Sequence, residues 1–158
     1  MNVSVQEADF DAGAEIAALS AGRDDVGAVA SFVGLVRADK TDSETNRAAA
    51  VKAMTLEHYP GMTEKALQEI VVAAQGRWEL QGVRVIHRVG RLLPGERIVF
   101  VAVASSHRAD AFAACEFIMD YLKTRAPFWK KEETPQGGRW VDARESDDAA
   151  AGRWSDAN

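Results

Sequence analysis

Two apolar stretches and one long helical stripe follow one another between residues 83 and 124, and they constrain the fold of this chain more than any other feature. Residues 83–93 and 97–104 are rich in valine and isoleucine. Pro94-Gly95 separates them and turns the chain, so the pair predicts a β-hairpin or adjacent strands of one sheet. Ser105 or Ser106 then offers a helix cap. Over residues 108–124, Ala111, Cys115, Ile118 and Leu122 recur at the i, i+4, i+7, i+11 spacing of a core-facing helix stripe, with Phe112, Met119 and Lys123 on a neighbouring face. Pro127 ends this helix, because proline disfavours helical geometry at the residue before it.

The remaining segments fit around that unit as a mixed α/β chain. Residues 3–5 predict a short strand, and residues 11–19 a short helix with Ile16 and Leu19 inward. The stretch GAVASFVGLV at 27–36 predicts a buried strand with a bulge or close backbone approach at Gly34. Residues 38–50, ADKTDSETNRAAA, contain no aromatic or large apolar side chain and predict a mobile loop. A strand over 51–57 follows, then a helix from a Thr63 cap to about residue 75, and, after Pro127, two short strands at 128–133 and 139–143 around PQGG. No repeat or linker divides the chain, which is expected to be a single domain over 1–145 with a disordered tail over 146–158.

Composition narrows the function classes. A chain of 158 residues with 47% hydrophobic and 27% charged side chains is long enough to bury a core without cross-links. One cysteine, Cys115, excludes an intrachain disulfide, and no Cys/His spacing suits a metal site, so neither metal nor cofactor is expected. Without a signal sequence or a membrane-length apolar run, the expectation is a cytoplasmic protein with no membrane association. A net charge of −5 argues against nucleic-acid binding. Yet KTRAPFWKK at 123–131 gathers four cations and no anion. An acidic protein that concentrates cations in one segment is suited to hold a small anion there.

The candidate chemistry follows from that segment. Lys123 ends the long helix and Lys130 lies beyond a proline that turns the chain, so both ammoniums can reach the mouth of one pocket. Two cations held together make each other easier to deprotonate, as a lysine acid/base or nucleophile requires; the alternative is that they only complement a helix dipole. His107 and Arg108 stand at a strand-to-helix junction where free backbone N–H groups favour an anion, or else they are a solvated helix start. Arg37, at a strand end, is either a bidentate anion ligand or surface charge. Cys115 falls on the core stripe and reads as an inert buried thiol. Met119, one turn before Lys123, and Phe128 and Trp129 read first as packing residues, although one of the aromatic side chains has the shape to wall a flat ring. His87 reads as a hydrogen-bonded core histidine, and His58 has no second histidine at metal-ligand spacing.

Four strings resemble one known family, the catalytic subunit of molybdopterin synthase: TLEHYPGMTEKAL at 55–67, IHRVGRLLPGE at 86–96, SSHRADAF at 105–112 and FIMDYLKTRAPFWKKE at 117–132. The resemblance implies an α/β hammerhead-type fold with an additional small antiparallel β-subdomain. It also implies a homodimer within a heterotetramer, each end of which binds a small ubiquitin-like sulfur-carrier subunit. The implied reaction is a sulfurtransferase step that moves sulfur from the carrier's C-terminal Gly-Gly thiocarboxylate to cyclic pyranopterin monophosphate, twice, to make the molybdopterin dithiolene. By motif, Lys123 and Lys130 correspond to the family's two functional lysines. The implied substrate-binding residues are Arg37, which closes Gly34-Leu35-Val36-Arg37, together with His107, Arg108, Met119 and Arg144. The segment 38–50 departs from the family's shorter Asn/Gly-containing loop. A non-catalytic carrier- or anion-binding module of the same fold is the alternative reading.

Overall fold

The computed structural model describes residues 2–42, 47–135, 137–141 and 145–155. In chain order the first half contains β1 (Val3–Gln6), α1 (Ala12–Ser20), β2 (Ala28–Leu35), β3 (Asp39–Asp42), β4 (Arg47–Ala50), β5 (Ala53–His58) and α2 (Met62–Arg77). The second half contains β6 (Gly82–Arg88), β7 (Gly90–Leu92), β8 (Arg97–Ser105), α3 (Arg108–Arg125), β9 (Phe128–Thr134), β10 (Gly137–Val141) and α4 (Glu145–Ser155). This is the expected mixed α/β architecture, with a main sheet and a second, smaller antiparallel sheet.

The main sheet has the order β1-β6-β8-β2, with β1 parallel to β6 and the other pairs antiparallel. Strand alternation divides its side chains between two helix layers. Val83, Val85, Val99, Val101 and Val103 face α2 and α3 and share one core with Leu67, Ile70, Val71, Phe117, Ile118 and Leu122. Ile86, Phe100 and Ala102 face the other way and pack with Phe10, Ile16 and Leu19 beside α1. The stripe read from α3 is buried at all four positions, and α3 sinks eight side chains in total. At roughly 1.5–3 kcal/mol for each large apolar side chain removed from water, that face holds the helix on the sheet.

The second sheet has the order β10-β9-β5-β7. Residues 83–93, expected as one strand, supply two. Gly90 adopts φ +87, a left-handed conformation that side-chain-bearing residues rarely enter, and there the chain leaves β6 in the main sheet for β7 in the small one. Val36, Met54, Leu56, Val89 and Leu92 form the core under this sheet, with Phe128 packed against both this core and the main one. The break expected in β2 is present as a register shift between Gly34 and Leu35; a Cβ at Gly34 would lie 2.7 Å from a Val99 methyl carbon.

Several local expectations are corrected. Residues 38–50 contain a two-stranded ladder, β3 against β4, because backbone pairing needs no large apolar side chain; Val51 N–H closes it on the Ala38 carbonyl at 2.7 Å. The cap of α2 is Gly61, whose N–H donates to Glu64 at 2.6 Å, while Thr63 lies inside the helix with its hydroxyl used elsewhere. The cap of α3 is His107 rather than either serine. Residues 146–155, expected in a disordered tail over 146–158, belong to α4. Trp154 packs edge-on against Trp78 and Phe117 and donates from Nε1 to Asp120 at 2.7 Å, and the Arg77 guanidinium lies over all three rings. Small residues and one tryptophan suffice for a helix once an apolar slot exists to receive the indole. No helix among the described residues is long and apolar enough to cross a membrane.

Candidate active site

The α3-to-β9 link builds the site. Ala126, the C-cap of α3, is extended at φ −81 and ψ 129, the conformation Pro127 demands of it. The buried Thr63 hydroxyl donates to the Pro127 carbonyl at 3.0 Å and accepts from Tyr59 N–H at 3.0 Å, which latches the link to the start of α2. One residue later Phe128 stacks on the His87 imidazole, with ring centres 3.8 Å apart and planes 20° off parallel.

These contacts set where the lysines go. Lys123 stands exposed in the last turn of α3. On β9, Phe128, Lys130 and Glu132 share the inward face, while Trp129, Lys131 and Glu133 point outward. Lys130 pairs across the ladder with Leu56 and Val141, whereas Lys131 lies 5.8 Å from the Trp140 ring centre on the outer face. Trp129 is therefore half exposed beside Tyr59 rather than packed between helix and sheet; of the expected aromatic pair only Phe128 fills that role.

The charges of both lysines act on one buried side chain, His87. Its ring is 4% exposed, and Nδ1 lies 2.8 Å from the Arg88 carbonyl, which can only accept, so Nδ1 carries the proton. Burial denies water to the imidazolium and dominates. The bond to the Arg88 carbonyl opposes that effect, and positive charge from Lys123, Lys130 and His58 reinforces it, so the ring is neutral with its pKa pushed down to about 3. Lys123 from α3, Lys130 from β9 and His58 from β5 thus lie within electrostatic reach of one buried ring. His58 in turn lies 3.6 Å from the Glu64 carboxylate on α2.

The other sequence-derived candidates divide by position. Arg37 is exposed just past β2, where Val36 N–H donates to the Glu96 carbonyl and the Val36 carbonyl accepts from Gly95 N–H; the antiparallel register puts this at the same end of the sheet as His87. Met119 is 8% exposed and belongs to the main core, one turn before Lys123. His107 and Arg108 are exposed at the opposite end of α3; fifteen residues at 1.5 Å per residue put Arg108 roughly 22 Å from Lys123 along the helix axis. Within one chain they do not join the lysines. Arg144 lies outside the described residues. Cys115 is buried, and burial together with Glu116 pushes its thiol up to about 11, so a thiolate is disfavoured near neutral pH.

Sequence reasoning undervalued two side chains. His87 continues the odd-numbered face of β6 after Val83 and Val85, the face covered by α3, and that parity is a legible signal that it looks toward the helix carrying Lys123. Thr63 gave no comparable signal, since its partner Pro127 is 64 residues away in sequence.

Comparison with known proteins gives the family and the fold. The family model for MoaE protein matches residues 5–125. The molybdopterin synthase catalytic subunit of Ralstonia nicotianae is 64% identical over 152 residues, covering 96% of this chain and 83% of that one. The protein of the same description from Salmonella typhimurium is 59% identical over 152 residues, covering 96% and 97%. Among solved structures, the molybdopterin biosynthesis MoaE protein from Burkholderia ambifaria superposes with a TM-score of 0.78 at 57% identity, covering 98% of this chain and 97% of that one.

Proposed function

This chain belongs to the MoaE protein family, and on that premise we propose that it is the sulfurtransferase subunit of a molybdopterin synthase, moving sulfur from a partner's C-terminal thiocarboxylate onto cyclic pyranopterin monophosphate. The match to the MoaE family carries the reading, and the placement of Lys123 and Lys130 at the two ends of the link whose Phe128 stacks on the buried His87 ring supports it. The substrate is a cyclic phosphate and the sulfur donor an anionic thiocarboxylate. A cationic locale binds both, stabilises charge as the thiocarboxylate sulfur attacks the pterin, and moves a proton as water cleaves the resulting thioester, leaving the sulfur on the pterin and a carboxylate on the carrier. No thiol of the chain enters the scheme, which agrees with a Cys115 that is buried and disfavoured as a thiolate, because the sulfur arrives on the partner. Retention of both lysines, and relatives described as catalytic subunits, favour this over a non-catalytic binding module.

The partner is a small ubiquitin-like carrier ending in Gly-Gly. A narrow site admits an extended tail only where the backbone approaches closely, and glycine alone permits that. Each round consumes one carrier, and two rounds complete the dithiolene. The roughly 22 Å between Arg108 and Lys123 has a further consequence: if His107 and Arg108 bind substrate, they serve the pocket of a second copy in a homodimer.

Purified protein, carrier bearing the thiocarboxylate and the cyclic pterin form a complete assay. Molybdopterin accumulates with full-length carrier and not with carrier lacking its last two residues. A folded protein that binds the carrier and yields no product, or activity unaffected by the tail deletion, overturns the reading.

A further inference from the structure

We propose that Arg88 is a positioning residue for Arg37: its buried guanidinium fixes the turn that holds the end of β2, so that Arg37 is presented to the substrate anion from a fixed place. The inference rests on the sulfur-transfer reading, in which Arg37 binds substrate, and adds to it a residue that touches neither carrier nor pterin.

The guanidinium continues the main sheet beyond the point where its backbone ladders stop. Pairing of β1 with β6 ends at Gln6 and Arg88, and pairing of β6 with β8 ends at His87 and Val99. Past those pairs the Arg88 side chain takes over. Its Nε and Nη2 donate to the Glu7 carbonyl at 3.1 and 3.0 Å, and Nη1 donates to the Arg97 carbonyl at 3.0 Å. Arg97 stands opposite Leu35, at the register shift that ends β2. Nη1 also lies 3.6 Å from Glu96 Oε1 and 3.9 Å from Asp9 Oδ1, and Asp9 is itself held by Arg97 through both oxygens. A buried cation is costly unless it is paired and hydrogen-bonded, so these partners hold the guanidinium in one geometry.

The path from there to Arg37 is short. Glu96 presents its other oxygen, Oε2, to Leu93 N–H at 2.6 Å, which closes the turn over 93–96, where Gly95 adopts φ +89. From that turn Gly95 N–H donates to the Val36 carbonyl at 2.8 Å, and the Glu96 carbonyl accepts from Val36 N–H at 2.9 Å. The turn therefore holds both backbone polar groups of Val36, which is buried, and Arg37 is the next residue, exposed. An arginine grips a phosphate by two parallel bonds, so it binds well only when its fork meets both oxygens. A lysine at position 88 would keep the charge but not the planar fork that reaches Glu7 and Arg97 at once.

The test compares Arg88→Lys in two backgrounds. In the complete complex, Arg88→Lys is expected to raise KM for the cyclic pterin about tenfold, with kcat and KM for the carrier within about twofold of wild type. In an Arg37→Ala background the same substitution should change the pterin KM by less than about twofold, because the residue through which it acts is gone. A purely structural role gives the same loss in both. Glu96→Ala opens the turn from a side chain that is 40% exposed, and so serves where Arg88→Lys does not fold; it should raise the pterin KM about threefold, again only with Arg37 present. Hydrogen exchange gives a readout independent of turnover. The Val36 and Gly95 amides should exchange about tenfold faster in either variant, while the core amides of α3 keep their wild-type rates. Equal losses in the two backgrounds, an unchanged pterin KM in the folded variants, or unchanged exchange at Val36 and Gly95 overturns the proposal. A wild-type protein that makes no product sinks the sulfur-transfer reading instead, and exchange at Val36 and Gly95 still decides whether Arg88 holds the strand end.

Discussion

Replacing Thr63 by valine removes one hydroxyl and almost no volume, so its effect isolates the latch between α2 and the α3-to-β9 link. The hydroxyl makes two bonds at 3.0 Å, one accepted from Tyr59 N–H and one donated to the Pro127 carbonyl, and the residue is 0% exposed. Both bonds are only part-buried, so water can relieve some of the loss and each unpaired partner costs about 1–1.5 kcal/mol. The sum is about 2–3 kcal/mol, and a domain of this length loses about 2–4 °C per kcal/mol, so the melting temperature should fall by roughly 4–12 °C. Thr63→Ser keeps the hydroxyl and gives up one methyl, about 1 kcal/mol. Calorimetry and urea unfolding of the three proteins measure the order wild type, then serine, then valine. Product formation should follow the same order at temperatures where all three are folded, because the link sets the relative placement of α3 with Lys123 and β9 with Lys130. A valine variant as stable as wild type, or a serine variant worse than valine, refutes the latch.

Other expectations test the site directly. Lys123→Ala and Lys130→Ala should each reduce product formation about 100-fold or more in folded protein, whereas Lys131→Ala, on the outer face of β9, should stay within a few-fold; Lys123→Arg separates fixed charge from proton transfer, since guanidinium does not deprotonate near neutral pH. Mixing Lys123→Ala with Arg108→Ala and allowing subunit exchange should restore activity that neither homodimer has, and no restoration would place Arg108 outside the neighbouring pocket. His87 titrates at about 3 when folded and near 6.5 when unfolded, so below pH 6.5 the unfolded chain takes up the proton first and stability falls as pH falls from 6.5 toward 3. The loss from this group is about 2 kcal/mol by pH 5, measurable as a pH slope in urea unfolding that His87→Phe lacks. Cys115→Ala should keep sulfur transfer, at a modest stability cost from the small cavity it leaves; loss of activity in a folded variant would put the thiol back into the chemistry.

What the linear sequence determined is what repeats along it or acts between neighbours. The α3 stripe of Ala111, Cys115, Ile118 and Leu122 is buried as its spacing requires, Pro127 ends the helix by local sterics, Gly34 marks the break in β2, and alternation puts Lys130 and Lys131 on opposite faces of β9. Chemistry held in short contiguous strings was likewise legible, as the family resemblance and the cationic segment at 123–131 show. Tertiary structure decided whatever depends on partners far away in sequence. The helical state of 145–155 depends on an apolar slot between Trp78 and Phe117 that no local propensity announces. The division of 83–93 between two sheets turns on one left-handed glycine, and the role of Thr63 on a carbonyl 64 residues away. Most of all, the separation of His107 and Arg108 from Lys123 is a matter of length: a helix carries its two ends apart by 1.5 Å per residue, so residues that the family resemblance assigns to one reaction stand at opposite ends of one rod.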